Sequence, residues 1–86
     1  MYDLAFLQLA HKGSSSNKEE LKDWQCCGCF YCMQRFETKE VVEYFEESLK
    51  EGETAVCPKC GIDSVLSDRF PVADKEFLEA MNAYFF

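Results

Sequence analysis

Apolar residues recur at helical spacing at both ends of the chain, with a less regular stretch between them. Near the N-terminus Tyr2, Phe6, Leu9 and Ala10 share a face, with Leu4 and Leu7 beside it, which predicts a helix over residues 2–11. Gly13 is a fitting stop, and Ser14, Ser15 and Ser16 make a polar link. Asn17-Lys18-Glu19-Glu20 has capping-box spacing: Asn17 can accept from a backbone N–H, and Glu20 can reach back. A second helix is expected from there to about Trp24, burying Leu21 and Trp24.

Thr38 reads as the cap of a longer helix running to about Glu51, with Val41, Val42, Phe45 and Leu49 as its apolar stripe. Its other faces carry Glu40, Glu43, Glu46, Glu47 and Glu51. These acids are either a solvated face or a docking surface. Residues 54–56 and 62–66 read as two short antiparallel strands of one hairpin. Asp74 caps a last helix whose stripe of Phe77, Leu78, Met81, Tyr84 and Phe85 is the strongest in the chain. A helix this apolar has to dock, and the hairpin near Val56, Ile62 and Val65 is the expected dock. Phe86 lies past the stripe and is expected to be partly exposed, over the core edge, a partner or a second copy of the chain.

The candidate chemistry lies in the cysteines. Cys29-Phe30-Tyr31-Cys32 and Cys57-Pro58-Lys59-Cys60 are both Cys-x-x-Cys, with 24 residues between them. Such a turn brings two sulfurs to one side of a loop, and two facing turns make a closed tetrahedral site suited to Zn²⁺. Pro58 presets the second turn, and Gly61 tolerates the positive φ expected just past its second cysteine. Met33 occupies the matching place in the first. Cys26 with Cys29 is also Cys-x-x-Cys, but Gly28 lets the chain enter a turn at Cys29, which favours Cys29 and Cys32. Cys26 and Cys27 then remain as buried thiols or as a reactive pair. Burial of all four motif cysteines as plain thiols and a disulfide or redox role are the other readings. His11 stands alone, and its place at a helix end suggests contact with the last carbonyls rather than a fifth ligand.

Composition narrows the class. Eighty-six residues with 48% apolar content fit a single α+β domain: a small zinc ribbon of two knuckles and one β-hairpin, wrapped by three to four helices. Residues 1–24 would be an N-terminal helical segment, 25–66 the zinc-binding core and 67–86 the C-terminal helix. No apolar run approaches the roughly 18 residues of a membrane span. Met1 to His11 has no basic region and carries Asp3, so it does not read as a secretory signal. Cytoplasmic location is the expectation, and a reducing compartment favours metal over disulfide. The formal net charge is −7. Four thiolates around one dication would take it to about −9. The basic residues are scattered, so direct binding to nucleic acid is not expected.

Two stretches carry a resemblance. Cys27-Gly28-Cys29-Phe30-Tyr31-Cys32 and the run from Thr54 through Cys57-Pro58-Lys59-Cys60-Gly61-Ile62-Asp63-Ser64 to Leu66 resemble a family of small bacterial zinc-ribbon cytoplasmic proteins. Its members read CGCFYC, a helix, TALCPxCGIDSV, and a helix with an aromatic end. The likeness covers most of residues 17–86 and is weakest in the N-terminal helix. It implies one zinc on Cys29, Cys32, Cys57 and Cys60, and no activity. The chain has one histidine, no Ser–His–Asp set and no Gly-rich phosphate loop, and a closed four-sulfur site leaves no open position, so the expected function is not an enzyme's but that of a structural-zinc module acting through a protein partner, with homo-oligomers allowed. Glu40, Glu43, Glu46, Glu47 and Phe86 are the candidate partner surface. The alternatives are an acidic nucleic-acid-mimic inhibitor or a phage or mobile-element regulator of a host enzyme, motivated by the acids of residues 37–53, and a thiol redox protein.

Overall fold

Asp3 starts the first helix by accepting a hydrogen bond from the Phe6 backbone N–H at 2.8 Å. In the computed structural model, which describes residues 2–46 and 52–86, this helix is α1, Leu4–Lys12. Its buried face is Leu7 and Ala10 with Phe6 half-buried, while Leu4 and Leu9 face solvent. The expected face was thus rotated, because Leu9 belongs to the outer side. A single short turn follows, α2 at Lys18–Leu21. Leu21 is buried, but Trp24 is exposed beyond the helix end.

The central sheet has three antiparallel strands in the order β2-β1-β5: β1 is Cys26–Cys29, β2 is Arg35–Glu37 and β5 is Val65–Ser67. Cys27 pairs with Phe36 on one side and with Ser67 on the other. Gly28 is not a turn residue. It sits in the middle of β1, where an added Cβ would come within 2.8 Å of the Val72 Cβ. A second sheet joins β3, Tyr44–Glu46, to β4, Glu53–Ala55, also antiparallel.

Three sequence expectations fail here. The helix expected from Thr38 is one 3₁₀ turn, Thr38–Glu40, after which Val41 turns extended and the chain enters β3. Val41 is buried, but Val42 is 81% exposed, so the stripe does not form; Leu49 lies outside the described residues. Nor do residues 54–56 and 62–66 pair with each other: β4 pairs with β3, and β5 with β1. The capping box at Asn17 is absent as well. The Asn17 side chain is buried and spans the two sheets, donating to the Val65 carbonyl at 2.8 Å and accepting from the Ala55 N–H at 3.0 Å. Glu20 instead accepts from the Ser67 hydroxyl and pairs with Arg69 at 2.7 Å.

The last helix, α3 at Lys75–Phe85, starts at Asp74, whose carboxylate accepts from the Glu76 N–H at 2.9 Å. The Tyr2 hydroxyl donates to the same carboxylate, tying the N-terminal segment to this end of α3. Phe77, Leu78 and Met81 are buried, and Tyr84 is not. They pack with Leu7, Ala10, Phe30, Leu66, Phe70 and Val72. The dock of α3 is therefore α1 and the Phe30 side of the central sheet, not the surface near Val56, Ile62 and Val65, the last of which belongs to a different apolar cluster. A second apolar cluster, around Leu21, Cys27, Phe36, Val41, Ala55 and Val65, takes in the buried cysteines Cys29 and Cys57.

Candidate metal centre

The two Cys-x-x-Cys loops are built alike. In the first, the Cys29 N–H donates to the Gln34 carbonyl at 3.0 Å, which makes the loop the tip of the β1–β2 hairpin. In the second, the Cys57 N–H donates to the Ile62 carbonyl at 2.9 Å. Each loop turns a backbone N–H onto its first sulfur: Tyr31 onto Cys29 at 3.4 Å, and Lys59 onto Cys57 at 3.3 Å. Each also places the residue after its second cysteine in the left-handed region, Met33 at φ 59° and Gly61 at φ 80°. The sequence made Met33 look like the weaker knuckle; the backbone adopts the same turn regardless.

That symmetry gives a test. Left-handed backbone costs a side chain roughly 1–2 kcal/mol that glycine avoids. Gly61→Ala is expected to destabilise by about 1 kcal/mol, and Met33→Gly to stabilise by a few tenths to about 1 kcal/mol. Opposite shifts in thermal midpoint check it.

Pairing of β5 with β1 carries the second loop onto the first. The sulfurs of Cys29, Cys32, Cys57 and Cys60 all lie within 4.8 Å of one another. Across the two loops Cys29 is 3.7 Å from Cys60, and Cys32 is 3.7 Å from Cys57. A metal bonded to four sulfurs at about 2.3 Å in a tetrahedron sets the sulfurs about 3.8 Å apart, so the spacing fits. The quartet could hold a metal ion. All six cysteines are free thiols.

The site has an inner and an outer side. Cys29 and Cys57 are buried, and Cys32 and Cys60 are half-buried. Without a metal, burial pushes the Cys32 thiol well above its ordinary value and that of Cys60 up to about 11. Burial acts the same way on Cys29, but the Ser64 hydroxyl, 3.0 Å from its sulfur, and N–H donors of its own loop outweigh it and lower the thiol's value. Binding a metal here therefore displaces protons, at least from Cys32 and Cys60.

Ser64 is the residue that sequence reasoning undervalued. With Asp63 it interrupts the apolar run from Ile62 to Leu66, a pattern that reads as one of the two fixing the turn locally. Ser64 is instead buried against the Cys29 sulfur. A small hydroxyl just before the apolar pair Val65 and Leu66, four residues past the second Cys-x-x-Cys, was the available signal.

The other candidates sit elsewhere. Cys26 and Cys27 are not part of the quartet. Cys27 is buried with its sulfur 3.2 Å from the Thr38 hydroxyl, and burial raises its thiol. The His11 ring stacks on Phe85 at 4.1 Å rather than engaging carbonyls of its helix. Glu40, Glu43 and Glu46 do not share a helix face, because that helix is absent. Glu40 pairs with Lys59 of the second loop at 3.1 Å and accepts from the Glu37 N–H, interactions that hold its carboxyl below the usual range. Glu46 is exposed on β3, opposite Glu53, and Glu47 lies outside the described residues. Phe86 is 57% exposed, with its ring against Phe30 and Tyr31.

Compared with models of protein families, with curated proteins and with solved structures, the chain matches none. Among the described residues no helix is long and apolar enough to cross a membrane.

Proposed function

We propose that Cys29, Cys32, Cys57 and Cys60 hold one structural Zn²⁺, and that the protein is a zinc-ribbon module of the cytoplasm that acts through a protein partner. The observation that carries this reading is the closed quartet of sulfurs, all within 4.8 Å of one another. Four soft thiolate donors in a tetrahedron suit zinc. Four protein ligands leave no position for a water or a substrate, so the metal holds the two loops together rather than doing chemistry. The resemblance of both cysteine stretches to a zinc-ribbon family supports the same assignment. Exposed apolar side chains beside exposed acids, such as Val42 next to Glu43, give a surface for contact with a partner.

Cobalt substitution tests the closed site. Co²⁺-loaded protein is expected to show intense thiolate charge-transfer bands and tetrahedral visible bands, unchanged by added imidazole or cyanide. Bands that move with either ligand would mean an open position, and with it a metal placed for reaction.

A further inference from the structure

A cavity of about 330 Å³ is walled by Phe30, Phe85, Phe86, His11 and Asp63 together with three serines, Ser14, Ser15 and Ser64. Its volume is in the range of small-ligand sites. The metal centre does not use it, although Ser64 lines both. Phe30 is tilted against the other two phenyl rings rather than stacked on either. Phe30 stands 6.1 Å from Phe85 at 54° and 5.7 Å from Phe86 at 44°. Rings set this way turn faces and edges into a shared space from different directions.

The walls are held in place. The His11 imidazole lies nearly parallel on Phe85, at 25°. The Asn82 side chain donates to the carbonyls of Phe30 and Tyr31, at 3.1 Å each, which anchors the end of α3 to the first loop.

The charge is one-sided. Asp63 is exposed at the rim, and among the described residues no cation pairs with it. Two of the chain's own cations sit over other rings, Lys18 over Tyr44 and Arg69 over Phe70. The protein as a whole carries −7. An anion would be repelled, and a neutral ligand would leave the carboxylate unused. An organic cation satisfies both features: its carbons meet the rings, and its charge meets the ring faces and Asp63.

We propose that this cavity binds an organic ammonium ion, either a small methylated amine or the ammonium end of a lysine side chain. The site is independent of the identity of the metal.

The test is an amide NMR titration of the full, metal-loaded chain with three probes: choline, its uncharged carbon isostere 3,3-dimethylbutan-1-ol, and n-butylammonium as a lysine mimic. Saturable shifts at Phe30, Asp63, Ser64 and Phe85 are expected with choline in the millimolar range, and at least about tenfold weaker binding of the isostere. Asp63→Asn should weaken choline about threefold to tenfold at unchanged metal content. Should Asp63→Asn disturb the fold, Phe86→Leu keeps apolar bulk but removes a ring, and should weaken choline while sparing the isostere. Tighter n-butylammonium than choline identifies a lysine side chain as the source, and the reverse a methylated amine. Equal binding of choline and the isostere, no saturable shift, or a Phe86→Leu variant with wild-type choline affinity would overturn the proposal.

Discussion

Phe77→Ala is expected to lower stability by about 3–5 kcal/mol, the usual cost of deleting a buried phenyl ring. Phe77 is fully buried at the centre of the α1–α3 contact. Tyr2 meets it edge-on at 5.2 Å, and Phe6 lies 5.8 Å away. Its removal leaves a void that these rings cannot fill without α1 moving. Domains of this kind are stable by only about 5–15 kcal/mol, so the variant should melt at least 10 °C lower. Phe86→Ala is the control. Phe86 keeps 57% of its surface exposed, and its loss should cost less than about 1 kcal/mol. Melting curves of the two variants check the contrast. If Phe77→Ala melts with the wild type, the aromatic stripe of α3 is not the core.

Asn17→Ala should be the second severe change, at about 2–4 kcal/mol. Its amide is the bond between the two sheets, with Val65 of β5 on one side and Ala55 of β4 on the other. Alanine strands a carbonyl and an N–H in a buried place, and each unsatisfied group costs about 1–3 kcal/mol. Loss of a helix cap does not explain such a figure, because the Asn17 side chain makes no cap hydrogen bond. Hydrogen exchange gives the specific readout: the Ala55 amide should lose protection in the variant. Stability within about 0.5 kcal/mol of wild type with the Ala55 amide still protected would mean that the sheets do not depend on this bridge.

What the sequence made legible was local. The two Cys-x-x-Cys turns, the Asp74 cap and the buried trio Phe77, Leu78 and Met81 are each specified within a few residues. What it hid was non-local. Val41 and Phe45 stand four apart, as on a helix, and the acids around them, Glu40, Glu43, Glu46 and Glu47, fit a solvated helical face. Yet Val41-Val42 and Tyr44-Phe45 are β-branched and aromatic, and the pairing of Phe45 with Thr54 decides in favour of a strand. That partner cannot be seen from either segment alone. The same holds for residues 54–56 and 62–66: only Thr54 and Ala55 of the first and Val65 and Leu66 of the second lie in strands, and each strand pairs with one that the patterns did not reveal. In β1 the cysteines and Gly28 have little strand character of their own; partners on both sides hold them extended. Asn17 misled for a related reason. Its cap-like spacing is a local signal, and its actual partners lie 38 and 48 residues away.

Metal content set against folding is the most direct test of the central claim that one zinc on four cysteines holds the two loops together. Protein purified under reducing conditions is expected to contain one zinc per chain by elemental analysis. A strong chelator should remove it with cooperative loss of structure by circular dichroism, because at such sites the energy of binding is largely the energy of folding. Serine at Cys29, Cys32, Cys57 or Cys60 should abolish both metal and fold, while serine at Cys26 or Cys27 should keep the full complement of zinc. A chain that melts identically with and without metal, or that loses its zinc through Cys26→Ser, would contradict the account.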